Sequence, residues 1–295
     1  MLEAFPVILF RNIGMSFPIL KDLLGPPKAA RIVQKGENEM FSMQKAVVTI
    51  AVAAAAAACA AVSAEEVHVA VAANFTGPMK DLAPLYEKAT GDKLVLSFGS
   101  TGAFYAQIKN GAPFDVLLAA DNETPKKAVN EGHGVAGTTF TYAVGKLVLW
   151  ASDASLIKGD PKVVTTYAVK HVAVANPKLA PYGLAAHEAM KSLGIEAAVT
   201  PKIVEGDNIG KTFQFVKTGN AEAGFVALSQ CYKNGAFTGG SGWIVPQELY
   251  NRIDQDAVLL KKGEKNQGAT RFLKYLKESE DAARIRETYG YGSAQ

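Results

Sequence analysis

The sequence predicts an α/β protein with largely parallel sheets, and three observations carry the prediction. Short apolar runs alternate with amphipathic helical patterns through most of the chain. Small polar residues mark three junctions where a predicted strand gives way to a predicted helix. The composition is globular: 295 residues, 48% hydrophobic and 20% charged, give enough apolar material for a full core.

The elements follow in order. Residues 67–72 read as strand, and residues 77–90 as helix, with Met79, Leu82, Leu85 and Tyr86 at helical spacing. Residues 93–98 are predicted strand, 103–109 helix, 114–119 strand and 123–131 helix. Further strands are expected at 147–152 and 171–175, followed by a helix at 184–193. Residues 209–218 are predicted helix and 224–228 a buried strand. The tail, 266–289, is helical with a break near Glu278. No repeat, heptad or low-complexity tract occurs after residue 64.

The front of the chain carries an address. Met43-Gln44-Lys45 precedes an uncharged, alanine-rich run over 46–64 that ends in Val62-Ser63-Ala64, with Glu65-Glu66 following. A basic start, an apolar stretch and a small-residue exit are the parts of a secretory signal peptide, which places the mature protein in the periplasm, starting at Glu65. A retained membrane anchor and lipidation at Cys59 are the competing readings. The lipoprotein reading lacks the larger aliphatic expected three positions before the cysteine, since only alanines precede it. Residues 1–42 form a separate upstream segment with two short apolar patches and Pro26-Pro27, and Met40 or Met43 suits a start better than Met1. With the signal removed, Cys231 is the only cysteine, so neither an intramolecular disulfide nor a thiol-based zinc site is available.

Charge excludes one class of partner. The net charge is +3, and six Lys/Arg and four Asp/Glu fall within the first 64 residues, which leaves 25 against 24 beyond them. A nearly neutral body offers no footprint for nucleic acid.

The junctions hold the candidate binding groups: Ala73-Asn74-Phe75-Thr76, Gly99-Ser100-Thr101-Gly102 and Gly206-Asp207-Asn208-Ile209-Gly210. In open α/β sheets, ligands lie beyond the carboxyl ends of strands, where helix N-termini aim free N–H groups at the cleft. Asn74, Thr101 and Asp207 would equally serve as plain N-caps, and one junction alone decides nothing.

Catalytic machinery is hard to assemble. His68, His133, His171 and His187 have no metal-ligand spacing, and no G-x-S-x-G elbow is present. Gly210-Lys211-Thr212 lacks the residue count of a phosphate loop. Asp115 and Asp121 flank a predicted strand, as residues that cap and solvate its ends do.

Five stretches carry a resemblance: AANFTGPMKDLAPLYEKATG (72–91), SFGSTGAFYAQIKNGAPFDVLLAAD (97–121), VANPKLAPYGLAAHEAMKSLG (174–194), GDNIGKTFQFVKTGNAEAGFVALSQ (206–230) and FLKYLKESEDAARIRETYGYG (272–292). In this order and spacing the chain resembles the periplasmic molybdate-binding protein family over essentially all of its mature length. The resemblance implies a two-lobed type II periplasmic-binding-protein fold, with two mixed sheets flanked by helices and ligand in the interlobe cleft. Lobe 1 would comprise 65–144 and 252–295, and lobe 2 would comprise 145–251.

The same resemblance implies a non-enzymatic carrier, without cofactor, that captures molybdate and tungstate and delivers them, as a monomer, to the permease of an ABC transporter. Its oxyanion pocket would draw on Asn74, Thr101 with Ser100 adjacent, Tyr182, and the backbone N–H of Ile209, with no direct ligand to the metal atom. One departure stands out. Some members take a tyrosine from the strand after GNAEAG, where this chain has Ala227, so Tyr182 would supply the phenol. A carrier for sulfate, phosphate or an organic anion, and an exported enzyme, are the alternative functions.

Overall fold

The structure is a computed structural model that describes residues 64–292. The signal-peptide segment, Cys59 and the upstream segment lie outside the described residues. Among those described, no helix is long and apolar enough to cross a membrane.

Two five-stranded sheets organise the chain. Strand β1 (Glu66–Ala72) is buried along nearly its whole length, as a central strand covered on both faces must be. It leads through a 3-10 turn (Ala73–Phe75) into helix α1 (Thr76–Thr90), which returns the chain to β2 (Lys93–Gly99). Helix α2 (Thr101–Lys109), β3 (Val116–Leu118) and α3 (Glu123–Asn130) follow, then β4 (Phe140–Gly145). Only Lys146 separates β4 from β5 (Leu147–Ala151), and there the chain passes into the second sheet. That half contains β6 (Val172–Ala175), α4 (Pro181–Ser192), α5 (Glu196–Val199), β7 (Ile203–Gly206), α6 (Ile209–Lys217) and β8 (Ala223–Ala227). The short α7 (Leu228–Cys231), a hairpin of β9 (Tyr232–Lys233) and β10 (Ala236–Phe237), and β11 (Ser241–Ile244) complete it. Strand β12 (Ile253–Leu259) returns to the first sheet, and α8 (Gln267–Glu278) and α9 (Glu280–Thr288) close the chain.

The strand orders are β2-β1-β3-β12-β4 and β11-β5-β8-β6-β7. Pairings among β1, β2 and β3, and among β6, β7 and β8, are parallel, whereas β12 and β5 pair antiparallel with both of their neighbours. Both sheets are therefore mixed and flanked by helices, as the family resemblance implies, whereas the expectation of largely parallel sheets drawn from the alternating pattern is corrected. The passing strands run against the βαβ units because each enters a sheet from the other half rather than through a crossover helix.

Each half has its own core. Val69, Met79, Leu82, Tyr86 and Phe272 pack between the first sheet and helices α1 and α8. Leu149, Val174, Ala186, Met190 and Phe225 fill the second half. The terminal helices are fastened to the first half by an ion pair between a half-buried arginine and a buried aspartate. Arg271 reaches Asp92 through Nε at 2.9 Å and through its terminal nitrogen at 2.6 Å, and Tyr86 Oη donates to the same carboxylate. The arginine fork, with the tyrosine and the Glu65 N–H, holds the Asp92 carboxyl down at about 2.

Candidate functional site

The carboxyl ends of the two sheets face one another, and the three polar junctions converge there with a fourth segment. The loop after β1 carries Asn74, which is 1% exposed. At the start of α2, Ser100 is the N-cap residue in extended conformation, yet its side chain makes no capping bond. Thr101 next to it accepts a hydrogen bond from the Ala120 N–H at 2.9 Å, which fixes the start of α2 against the segment leaving β3. Across the cleft, the Gly102 N–H donates to Leu179 O at 3.0 Å.

The second half contributes two helix starts. Pro181 occupies the first turn of α4, where its missing N–H removes no bond. Tyr182 follows it, inside the helix rather than in the loop that the sequence places before residue 184. Gly183 permits this geometry, because a Cβ there would stand 2.2 Å from Ala175 O. At α6, Asn208 is the N-cap, and its Oδ1 accepts from the Lys211 N–H at 2.9 Å. The N–H groups of Ile209 and Gly210 have no partner within the helix. Gly210 lies close to the first half, since a Cβ on it would meet Ala73 Cβ at 3.3 Å.

These segments enclose one small cavity, with about 190 Å³ of empty space including its mouth. Asn74, Ser100, Thr101, Tyr182 and Ile209 all line it, together with alanines 72, 73, 120 and 180, Gly99 and Pro181. No lining residue is charged. A larger open groove among Thr141, Lys277, Arg284, Arg286 and Glu287 lies elsewhere and carries full charges of both signs. The small cavity has the features expected for a desolvated oxyanion: the N-termini of α2, α4 and α6 meet there, and each favours negative charge.

A buried network backs the cavity. The Asn74 amide donates both hydrogens away from it, to Gln255 Oε1 at 2.8 Å and to Tyr291 Oη at 2.9 Å, and its own Oδ1 is buried without a partner. Gln255, wholly buried in β12, donates through Nε2 to Tyr182 Oη at 2.9 Å. Tyr142 Oη lies between Ala119 O and Gln255 Oε1, at 2.9 and 3.1 Å. Ser229 Oγ donates to Asn74 O across the cleft at 2.8 Å. Burial, followed by the neighbouring Tyr291, Tyr142 and Tyr250, pushes the Tyr182 hydroxyl well above its ordinary range, so it stays a neutral donor.

The plain N-cap alternative fails at each predicted position. Asn74 and Thr101 cap no helix, and Asp207 instead pairs with Lys211 at 2.9 Å, one residue before the true cap. Ala227 is buried at the end of β8 and does not line the site. Asp115 accepts from the His68 N–H at 2.7 Å, and Asp121 from the Thr124 N–H at 2.6 Å, so both serve backbone ends. Asp115 is buried rather than solvated. His68, His171 and His187 each sit beside a glutamate on the surface. Among the described residues, no group of three or more His, Cys, Asp or Glu could hold a metal ion. Gln255, Tyr142 and Tyr291 were not singled out from the sequence, because nothing local marks them as buried polar groups.

Comparison with known proteins agrees with this geometry. The profile of bacterial extracellular solute-binding proteins matches residues 67–292. The chain is 54% identical to the molybdate-binding protein of Azotobacter vinelandii over 252 residues, covering 85% of this chain and 98% of that one. It is 49% identical to the molybdate-binding protein of Rhodobacter capsulatus over 229 residues, covering 78% and 89%. The solved periplasmic molybdate-binding protein of Azotobacter vinelandii superimposes with a TM-score of 0.75 at 38% identity, over 78% of this chain and all of that one.

Proposed function

The chain belongs to the family of bacterial extracellular solute-binding proteins, and we propose that it captures molybdate in the cavity described above and delivers it to the permease of an ABC transporter. One observation carries the reading: five residues from four separate segments, among them the hydroxyls of Ser100 and Tyr182 and the helix-start N–H of Ile209, line a single small cavity without a charged side chain. A dianion needs no fixed countercharge when enough N–H and O–H groups surround it, each charge-assisted bond contributing about 1.5–3 kcal/mol. A cradle of this kind can bind tightly when closed and release its cargo when its halves are drawn apart.

In this reading Ser100 and Tyr182 donate hydroxyls, Ile209 donates its backbone N–H, and Thr101 and Asn74 shape the wall. Tungstate, of like charge and shape, is a second cargo. The working lobes are 65–144 with 252–295 and 145–251, and the carrier acts as a monomer. Export follows from the segment 43–64 as a cleaved signal peptide, which leaves a periplasmic protein beginning at Glu65. Calorimetric titration with molybdate, tungstate, sulfate and phosphate tests the assignment. Tight binding of the first two and weak binding of the last two is expected. Tight sulfate or phosphate binding with weak molybdate binding would overturn it.

A further inference from the structure

We propose that Gln255 is a positioning residue that turns the Tyr182 hydroxyl proton into the binding cavity. This inference rests on the reading of Tyr182 as a ligand donor and adds to it the reason the donor points the right way. A tyrosine hydroxyl has one hydrogen and rotates freely about its C–O bond, so a buried phenol needs something to fix its direction. Gln255 supplies that constraint. Its Nε2 donates to Tyr182 Oη at 2.9 Å, and an oxygen that accepts from this side must send its own hydrogen elsewhere.

The orientation of the Gln255 amide is itself determined. Asn74 Nδ2 donates to Oε1 at 2.8 Å, while the second Asn74 hydrogen goes to Tyr291 Oη. A half-turn of the Gln255 amide alone would bring two NH₂ groups face to face at Asn74, and would set an acceptor against Tyr182 Oη. Turning both amides together would put the Asn74 NH₂ where its Oδ1 now lies buried without a partner, stranding two donors in place of one acceptor. The bonds therefore run one way: Asn74 to Gln255, Gln255 to Tyr182, and Tyr182 to whatever acceptor occupies the cavity. Aligned hydrogen bonds polarise one another, so the terminal hydroxyl is the stronger donor for being last.

The surroundings fit a dedicated role. Gln255 is fully buried in β12 between two aspartates, and the register of β12 against β4 shifts between Gln255 and Asp256. The extra residue is Tyr142 on β4, and its bulge re-aims that strand opposite Gln255, as bulges beside binding sites do. Gly145 leaves the space: a Cβ there would fall 2.5 Å from Gln255 Nε2.

The test is molybdate titration of Gln255→Met, Tyr182→Phe and the double variant, with thermal melting to establish that each is folded. Each single variant should weaken binding by tenfold or more, and the double variant should be no weaker than the worse single. Losses that multiply in the double variant would mean that Gln255 acts independently of the hydroxyl, and would overturn the proposal alone. Wild-type affinity in Tyr182→Phe would overturn the underlying reading of Tyr182. A second arm uses Gln255→Glu. Its carboxylate accepts at both oxygens and draws the Tyr182 hydrogen away, whereas its protonated form can donate. Binding by this variant should therefore recover as pH falls, and the recovery should shrink when Tyr182→Phe is added, although the charge at 255 is the same in both. Equal recovery with and without the hydroxyl would contradict the proposal.

Discussion

Gly145 and Tyr182 approach so closely that a Cβ at position 145 would stand 2.2 Å from Tyr182 Oη. The glycine ends β4, immediately before the chain passes into the second sheet, and the tyrosine opens α4 on the other side of the cleft. Crossover and binding group are thus in direct contact. Gly145→Ala must displace the phenol, which is fully buried and has no spare room. Molybdate affinity should fall on the order of tenfold or more, the worth of one misplaced charge-assisted bond, while the protein still melts cooperatively. Unchanged affinity would mean that Tyr182 Oη contributes nothing to binding.

Tyr182→Phe isolates the hydroxyl itself. The ring and its packing remain, and only the donor disappears. The expected loss is about 1.5–3 kcal/mol, or roughly 10- to 150-fold in affinity by calorimetry. A tyrosine that merely packs its ring against the cleft would leave affinity unaltered.

Ser100 and Thr101 should separate cleanly. Ser100 Oγ makes no capping bond and Ser100 lines the cavity, so Ser100→Ala should weaken binding with little change in melting temperature. Thr101 Oγ1 accepts from the buried Ala120 N–H, so Thr101→Val should strand that donor and cost about 1–3 kcal/mol of stability. Paired melting and titration curves read the two effects independently. A stability loss confined to the serine variant would reverse the assignment.

How far the sequence discloses these roles depends on the range of the physics involved. Helical spacing of Met79, Leu82 and Tyr86, and the break at Ser279 between the last two helices, are local patterns and were legible. Strands β4, β7, β11 and β12 were not. Polar residues interrupt IDQDAVL, and no strand is expected there, yet β12 lies between β3 and β4, and Gln255 and Asp256 are buried in it. Burial of those polar groups is decided by partners as distant in sequence as Asn74 and Thr141. The one-residue error in the helix cap at 207 has a local cause: Asp207 and Asn208 are equally good caps by residue type, and the folded helix selects Asn208, whose side chain accepts from the Lys211 N–H.

The Asp92–Arg271 pair gives a pH prediction away from the site. The Asp92 carboxyl is held at about 2, below its unfolded value near 3.9, so the ionised form is favoured in the folded state by about 2–3 kcal/mol. Because the folded value is depressed, this stabilisation is complete above pH ~4 and is lost as pH falls toward about 2. Asp92→Asn should therefore be less stable than the native chain at neutral pH. The gap in urea midpoints should narrow as pH is lowered from about 4 toward about 2. A gap that stays constant across this range would show that Asp92 contributes through shape alone.

The last prediction concerns closure. Ser229 does not line the cavity, but its hydroxyl reaches across from the second half to Asn74 O at 2.8 Å, and Tyr291 Oη lies 3.0 Å from Ser229 Oγ. In a clamp, apparent affinity is the intrinsic affinity scaled by the fraction of molecules in the closed form. A bond that exists only when the halves meet should therefore affect binding without touching the anion. Ser229→Ala removes one neutral hydrogen bond, worth about 0.5–1.5 kcal/mol, so affinity should drop roughly two- to tenfold. Small-angle scattering supplies the independent readout. The native protein should compact on saturation with molybdate, and the variant should reach the same compact form at higher ligand concentration. Reduced affinity with an identical scattering response at every degree of saturation fits this account, because only the population of the closed form has changed. A saturated variant that remains expanded would mean that Ser229 shapes the closed form itself, and no compaction in the native protein would remove the clamp mechanism altogether.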